Sequence, residues 1–231
     1  MQLTSCLVWA GALVGSVVFD SETGFTFSEF KVAYSLTANI AFRVAVPAAA
    51  QSGQPYDVVY QVVVPNQVGW AGIAFGGSMT YNPLLVGWAN GQQTQTSTRW
   101  ATAHSQPTIY NQATLQKLTT GNRVNGTHWQ FTGKCTGCTS WANRSGGKTT
   151  LNPKGTNRLA LVISNSKPQQ PSNPSSNLVM HENPIYWSQS FTEGSNANFD
   201  ELVRKNGGTV TSGNSTSETP TSETPSSGTP Q

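Results

Sequence analysis

The sequence predicts an all-β fold, an antiparallel immunoglobulin-like β-sandwich with one short C-terminal helix. Short runs rich in β-branched and aromatic residues recur along the 231 residues, and Gly, Asn and Pro punctuate the gaps between them. The 3.6-residue periodicity of amphipathic helices is almost absent. Many short strands separated by turn residues are typical of an antiparallel sandwich.

Two kinds of run make up the predicted strands. Residues 58–64 are β-branched and end at Pro65, which predicts a buried strand. Other runs alternate between apolar and polar residues, as half-exposed strands do. Buried strands are predicted over residues 40–46, 58–64, 70–75 and 159–163, and half-exposed strands over residues 25–30 and 127–131.

One helix is predicted near the end of the folded part. It begins after Ser195 or Asn196, and Lys205 followed by Gly207 marks its end, because basic residues favour the last turn and Gly favours the position beyond it. Its apolar face consists of Phe199, Leu202 and Val203.

The N-terminal segment is typical of a signal peptide. The apolar run from Leu3 to Val18 is too short to span a bilayer, and we place the signal peptide at residues 1–16. No later run is apolar and long enough for a membrane span. The protein is therefore expected to be secreted. Sequons that agree with secretion begin at Asn125, Asn143 and Asn214.

The C-terminal segment differs in composition from the domain before it. The folded domain is predicted at residues 17–207, and residues 208–231 are rich in Ser, Thr and Pro. Ser-Glu-Thr-Pro occurs twice in this segment, at 217–220 and 222–225. Such a segment cannot build a core, so it is interpreted as an extended linker that led to a further domain.

Two cysteines remain after removal of the signal peptide, Cys135 and Cys138. A zinc ribbon would need a second such pair, and c-type haem attachment would need His where the chain has Thr139. The surrounding Thr, Gly and Ser also differ from the strand-to-helix setting of a thioredoxin motif. A short structural disulfide is the best interpretation, as expected of an even cysteine pair in a secreted chain.

Charge is distributed unevenly along the chain. Between Val58 and His181 there are nine Lys or Arg residues and no Asp or Glu. A glycosidase needs paired carboxylates, so this region argues against a hydrolase. The positive charge would suit anionic ligand groups or an acidic partner protein, and a mildly basic surface is equally compatible with it. Neither nucleic acid nor membrane is an expected partner, and a monomer is expected.

Met79 directly follows a Gly-Gly-Ser turn, an unusual place for a flexible apolar side chain. Packing is one interpretation, and a soft axial ligand at the edge of a haem pocket is the other. The best partner for such a ligand is His181, in competition with His104 and His128. Met180 is an alternative sulfur donor, but neighbouring residues on a strand point to opposite faces, so it is not expected to share an iron with His181.

Five motifs, in this order, resemble those of the cytochrome domain of fungal cellobiose dehydrogenases. The resemblance covers about residues 24–203. The motifs are Gly-Gly-Ser-Met at 76–79, Leu-Leu-Val-Gly-Trp-Ala-Asn-Gly at 84–91, Ser-Thr-Arg-Trp-Ala-Thr at 97–102, Asn-Gly-Thr-His-Trp at 125–129 and Lys-Cys-Thr-Gly-Cys-Thr-Ser-Trp at 134–141.

The resemblance implies a haem b cytochrome on a β-sandwich, with Met79 and His181 as axial ligands and haem bound non-covalently. In the family, a tyrosine just beyond the third motif reaches a haem propionate, and this chain has His104 there. The aromatic and apolar residues best placed in sequence to line the pocket, although each could equally belong to the core, are Phe75, Tyr81, Leu84, Trp88 and Trp100.

The resemblance also implies a role in lignocellulose degradation. The domain would take single electrons from a flavin-dependent sugar dehydrogenase and pass them to a copper polysaccharide monooxygenase or to ferric iron, so it is ferric reductase-like at most. The alternative is a haem-free carbohydrate-binding sandwich that uses some of its seven Trp residues for stacking. A small metal site built from the three histidines ranks last, since they lack a recognisable ligand spacing.

Overall fold

Two antiparallel β-sheets face each other in the structure, a computed structural model that describes residues 15–210. The strands are β1 Ser16–Phe19, β2 Thr26–Ala33, β3 Asn39–Pro47, β4 Val58–Pro65, β5 Trp70–Phe75, β6 Leu84–Asn90, β7 Gln93–Trp100, β8 Thr108–Ile109, β9 Thr114–Lys117, β10 Arg123–Val124, β11 His128–Thr136, β12 Ser140–Ala142, β13 Lys148–Thr150, β14 Thr156–Ser164, β15 Ile185–Ser190 and β16 Ser195–Asn196. The first sheet has the order β1-β2-β3-β4-β11-β10, with β9 paired to β11 and β16 paired in parallel to β3. The second has the order β15-β14-β5-β6-β7-β8, and β12 and β13 form a separate hairpin.

The predicted sandwich is therefore confirmed, and each of the six predicted strands corresponds to an observed one. Among residues 15–210, the only α-helix is α1, Phe199–Lys205, preceded by a 3₁₀ turn at Thr192–Gly194. None of the helices in this range is long and apolar enough to cross a membrane. Nearly all of the predicted signal peptide and linker, and the sequon at Asn214, lie outside the described residues.

Large side chains from both sheets fill the space between them. Phe30 and Phe42 of the first sheet pack against Trp187 of the second, and the Phe30 and Trp187 rings stack with centroids 4.1 Å apart. Trp129 is fully buried in the same core. Burying one such side chain contributes about 1.5–3 kcal/mol, so this core supplies most of the driving force for folding.

Helix α1 covers the outer face of the first sheet. Its residues Phe199, Leu202 and Val203 are buried, as the sequence predicted, and they pack against Phe25 and Phe27. The first sheet is therefore buried on its outer face as well as its inner face near the helix.

The outer face of the second sheet is different, because small residues occupy its centre. Period-2 alternation places Gly72 and Ala74 of β5 on the same face as Ala160 of β14, and Ala74 is the direct cross-strand partner of Ala160. The inward residues of β5, such as Phe75, belong to the core instead. Small side chains in adjacent strands leave a depression on this face.

Candidate functional site

A pocket of about 590 Å³ occupies this depression. Its floor is formed by β5, β6 and β14, and its walls by three connecting segments, which contribute residues 78–79, 104–107 and 178–184. The volume falls within the range of about 300–1,000 Å³ that is usual for small-molecule and cofactor sites. Met79, His104 and His181 all line it, so the fold brings together three of the predicted site residues.

The loop that carries Met79 is fixed by two glycines. Gly76 and Gly77 have φ angles of +91° and +74°, which side chains with a Cβ rarely adopt. A Cβ on Gly76 would also lie 2.0 Å from Oδ1 of Asn82, so the tight turn leaves no room for one. Half-buried Met79 packs on a small apolar cluster that consists of Ala74, Leu84, Ala101 and Ala160.

Tyr81 returns this loop to the sheet. Its φ of +57° is the one positive value for a non-glycine residue within 15–210. Its N–H donates to the carbonyl oxygen of Ala101 (2.9 Å), and its own carbonyl accepts from Nε1 of Trp141 (3.0 Å). These bonds hold both sides of the turn, so Met79 sits on a braced loop.

The wall that carries His181 runs alongside the end of β14. The N–H of Glu182 donates to the carbonyl oxygen of Ile163 (2.8 Å), and Oγ of Ser164 donates to the carbonyl oxygen of Met180 (3.1 Å). His181 lies between these two attachment points, which restrict the movement of its backbone.

The imidazole of His181 has a defined hydrogen-bonding state. Its Nδ1 lies 2.6 Å from the carbonyl oxygen of Glu182. A carbonyl oxygen can only accept, so Nδ1 carries the proton and Nε2 of the neutral ring keeps its lone pair. The ring also meets Trp70 edge to face at 6.1 Å. Histidines that ligate metals almost always donate their other ring N–H in this way.

Arg99 joins one wall of the pocket to the segment that leads into another wall, a role that sequence reasoning did not find. Its side chain is buried, and its guanidinium donates to the carbonyl oxygens of Pro107 (3.0 Å), Pro174 (2.7 Å) and Ser176 (2.8 Å), and its Nε to Oγ of Ser97 (2.7 Å). Burial lowers the pKa of the guanidinium. Its sequence signal was only its presence in the third motif.

A second contact closes the same side of the pocket. The side-chain amide of Gln106, oriented to satisfy both partners, donates to the carbonyl oxygen of Leu178 (3.0 Å) and accepts from its N–H (2.8 Å). Both residues line the pocket. The segments around residues 106 and 178 are thus paired through the side chain of one and the backbone of the other.

The structure places four of the predicted residues outside the lining, in contrast to their predicted positions: Phe75, Tyr81, Trp88 and Trp100. Phe75 is fully buried between the sheets, because it is on the inward side of β5. Tyr81 points to Trp100, whose ring it meets edge to face at 6.3 Å. Leu84, in contrast, lines the pocket.

Trp88 lies on the same face of the sheet as the pocket but farther along β6. Its Nε1 donates to the carbonyl oxygen of Pro171 (2.7 Å), and it packs with Trp70 and Val86. Trp70 and Val86 do line the pocket, so Trp88 packs against one end of the pocket floor.

Met180 also borders the pocket, although it adjoins His181. Met180 and His181 were predicted to lie on a strand, but residues 171–184 lie between β14 and β15 outside any strand, so alternation does not apply. The side chain of Met180 is 87% exposed. Met79 is therefore the better-held sulfur donor.

The positions of the Trp residues disfavour the carbohydrate-binding alternative. Five of the six Trp residues within 15–210 are at most 5% exposed. The sixth, Trp100, is half-buried and stacks on Tyr110 at 4.8 Å, so one of its faces is covered. The three histidines do not converge either, since His128 lines a separate small pocket with Arg123 and Asn125.

The remaining predicted sites lie away from the pocket. Cys135 and Cys138 are joined by a disulfide, with their Cα atoms 5.8 Å apart, and both are fully buried. Asn125 is exposed and Asn143 is half-buried, and the side chain of each accepts bonds from residues farther along its own turn.

Comparison with known proteins identifies the family. Residues 18–201 match the family model of the cytochrome domain of cellobiose dehydrogenase. The chain belongs to this family. The resemblance noted from the motifs is thereby confirmed, and the domain is a cytochrome domain, a haem-binding electron-transfer module.

The relatives of this cytochrome domain are parts of sugar dehydrogenases. The chain is 35% identical over 187 residues to a pyrroloquinoline quinone-dependent pyranose dehydrogenase of Coprinopsis cinerea. That match covers 77% of this chain and 25% of the relative, so the chain spans a quarter of the relative's length.

Two solved structures share the fold. The cytochrome b domain of pyranose dehydrogenase from C. cinerea superposes with a TM-score of 0.72 at 29% identity, covering 84% of this chain and 96% of that one. The cytochrome domain of Myriococcum thermophilum cellobiose dehydrogenase superposes with a TM-score of 0.75 at 24% identity, covering 87% and 100%. These similarities extend over nearly the whole described domain.

The pocket of this cytochrome domain fits a haem. A thioether and an imidazole with a free Nε2 border one space, which is a donor set that haem iron accepts. The floor contains the small residues Gly72, Ala74 and Ala160. Larger side chains at these positions would fill the space, so the small ones leave room for a flat group.

Proposed function

We propose that this domain is a secreted electron-transfer cytochrome that holds one haem b non-covalently, with Met79 and His181 as axial ligands. The observation that carries the proposal is the position of these two residues. They are far apart in the sequence, yet they border the same pocket on separate, braced walls.

The state of His181 supports its role as a ligand. Its Nδ1–H is committed to the carbonyl oxygen of Glu182, which fixes the tautomer and leaves Nε2 for the iron. The edge-on contact with Trp70 limits rotation of the ring. Both contacts reduce the conformational freedom that would be lost on binding.

Bound haem would supply a one-electron ferric–ferrous couple whose potential the protein sets. Met79 would favour the ferrous form, which raises the potential relative to a site with two His ligands. The apolar floor acts in the same direction, since it excludes water. With two axial ligands, no position remains for a substrate, so the domain acts as a carrier rather than as a site of turnover.

Attachment without a covalent bond agrees with the cysteines. Cys135 and Cys138 are bonded to each other in the core, and Thr139 stands where c-type attachment needs His. His104 lines the pocket and is exposed, so it is the residue we assign to a haem propionate.

The proposed donor is a sugar dehydrogenase. The motif resemblance favours a flavin enzyme, whereas the curated relative depends on pyrroloquinoline quinone. The proposed acceptors are a copper polysaccharide monooxygenase and ferric iron. Each of these partners would meet the domain outside the cell, where the signal peptide would direct it.

The proposal is tested by the visible spectra of the oxidised and the dithionite-reduced protein. We expect sharp reduced bands of a low-spin b-type haem. Met79→Ala and His181→Ala should each lose the low-spin spectrum, whereas the control Met180→Ala should keep it, because that side chain is exposed. A low-spin spectrum that persists in either ligand variant would reject that ligand, and a protein that takes up no haem would reject the function.

A further inference from the structure

Charge is segregated between the two sides of the domain. Seven of the eight acidic residues within 15–210 lie on the first sheet or on segments packed against it. They are Asp20, Glu22, Glu29, Asp57, Glu193, Asp200 and Glu201. The eighth is Glu182, beside His181 in the pocket wall.

The ion pairs of the described residues follow the same division. Glu29 pairs with Lys31 and Arg43, at 3.2 and 2.7 Å. Arg123 pairs with Glu22, and Lys134 pairs with Asp57. All of these pairs involve the first sheet or the loop that precedes β2, so four of the seven Lys and Arg residues on that side are ion-paired.

Two arginines beside the Met79 loop are not neutralised in this way. Arg158 lies on β14, on the same face as Ala160 of the pocket floor, and its methylene groups pass over Gly77, where an added Cβ would be 2.6 Å from its Cγ. Its guanidinium lies 5.5 Å from the ring centroid of Tyr186, a residue of the pocket lining.

Arg144 likewise lies over a tyrosine ring, that of Tyr81 in the same loop. It lies in the connection between β12 and β13, and its guanidinium is 5.7 Å from the ring centroid of Tyr81. Trp141 of the same hairpin bonds to the carbonyl of Tyr81, which fixes the hairpin against the loop. Neither arginine forms an ion pair with any residue of the described range.

We propose that Arg144 and Arg158 form a docking surface for an acidic face of a redox partner protein, next to the Met79 side of the pocket. This inference rests on the proposed electron-transfer function. Both side chains are exposed, and contact with a tyrosine ring pre-organises a guanidinium while leaving its N–H donors available. A guanidinium binds a carboxylate through two parallel hydrogen bonds, which selects Asp and Glu as the partner's contacts.

The arrangement would also orient the encounter. The seven acidic residues of the first-sheet side are matched by seven basic ones there, whereas the second-sheet side carries Arg144, Arg158 and further basic residues against Glu182 alone, so an acidic partner is attracted to the second-sheet side. Such steering raises association rates by about 10- to 1,000-fold and is screened by salt. It would bring the partner to the side of the domain where the pocket opens.

The test uses a reduced plant-type ferredoxin as an acidic probe in stopped flow. One electron leaves the ferredoxin and reduces the ferric haem of the domain. The rate of this reaction is measured in about 0.01 M and in about 1 M salt, between which the Debye length falls from about 30 Å to about 3 Å. We expect Arg144→Gln/Arg158→Gln to lower the low-salt rate roughly tenfold and to flatten the salt dependence. The matched control, Arg204→Gln/Lys205→Gln, removes two exposed cations from α1 and should change little.

Two further measurements separate the possible failures. Reduction by photoreduced lumiflavin, which is uncharged, should be equal in all variants. The docking assignment is overturned if the double variant is reduced more slowly by lumiflavin. It is also overturned if a shift of the haem midpoint potential accounts for the slower reduction by ferredoxin. Either result would place the arginines against the cofactor. Ferredoxin rates equal to those of the unchanged domain overturn it as well.

Binding of oxidised ferredoxin to the haem-free domain, measured by calorimetry at low salt, does not depend on haem. Binding that the double variant loses and the control keeps supports the surface even if the cytochrome function fails. If the domain binds haem but these variants bind ferredoxin equally well, the proposed function stands and the docking surface is rejected.

Discussion

Replacing Arg99 by Met should destabilise the domain and loosen its pocket. The guanidinium makes three bonds to backbone carbonyls and one to Ser97, at 2.7–3.0 Å, and its side chain is buried. Hydrogen bonds to a charged group contribute about 1.5–3 kcal/mol each, but burying the charge offsets part of this. Met has a similar unbranched stem and no donors, so the carbonyls of Pro107, Pro174 and Ser176 would lose their partner.

We expect a loss of about 3–5 kcal/mol in the free energy of unfolding, because three carbonyl acceptors would each lose a partner at about 1–3 kcal/mol, and release from burying the charge offsets part of the sum. Urea unfolding of the haem-free protein, followed by far-UV circular dichroism, measures it. Arg99→Lys should give an intermediate loss, since an ammonium keeps the charge but lacks the planar fork of donors. The exposed control Lys154→Met should stay within about 0.5 kcal/mol of the unchanged protein.

The same substitution should also speed haem release to apomyoglobin, because two walls of the pocket would separate. Two results contradict this reasoning. A loss below about 1 kcal/mol would mean that the carbonyls find water or other donors at little cost. An unchanged release rate despite a large loss of stability would mean that Arg99 supports the fold but not the pocket.

Two further substitutions test other parts of the domain. Gly76→Ala should lower the free energy of unfolding by about 1–3 kcal/mol, because it places a Cβ at positive φ and 2.0 Å from Oδ1 of Asn82. Haem affinity should fall as well. A variant as stable as the unchanged protein would refute the steric explanation. Burial alone would raise the pKa of Glu29, but hydrogen bonds and charge from Arg43 and Lys31 hold it below its ordinary value. The contribution of Glu29 to stability is therefore complete above the pKa of the unfolded state and is lost as the pH falls through the pKa of the folded state. Glu29→Gln should lower stability at neutral pH and make the loss of stability in acid less steep. Urea titrations at several pH values would measure both effects.

The parts of the fold that local sequence decides were predictable. The strands around residues 58–64 and 70–75 are rich in β-branched or apolar residues, and α1 has an apolar face at a helical spacing. Composition and the spacing of apolar residues were therefore sufficient to predict these elements. The strand at 93–100 was not predicted as such, because its run of Gln, Thr and Ser lacks a buried apolar face. It pairs with β6 as a hairpin through the two-residue turn after Asn90, so the Asn90-Gly91 turn, rather than the composition of the run, was the sequence signal for it.

The site was predictable only where the family resemblance marked a residue. Met79 and His181 were predicted as ligands from that resemblance and from their residue types, and both line the pocket. Trp88 and Phe75 were misplaced because apolar character does not tell which face of a strand is covered, or by which loop. The role of Arg99 was missed since its acceptors Pro174 and Ser176 lie about 75 residues away, in a segment whose polar composition predicts only a loop.

The architecture separates the stability of the sandwich from the affinity of its pocket. Trp129 and Trp187 fill the space between the sheets, so a flat cofactor has no room there, and the small residues of the outer face provide the alternative. The candidate ligands lie on loops that are tied to strand ends by a few hydrogen bonds rather than by the core. Changes in the core should therefore lower stability and haem retention together, whereas loss of a single tie, such as the bond from Oγ of Ser164 to the carbonyl oxygen of Met180, should release haem from a sandwich that remains folded.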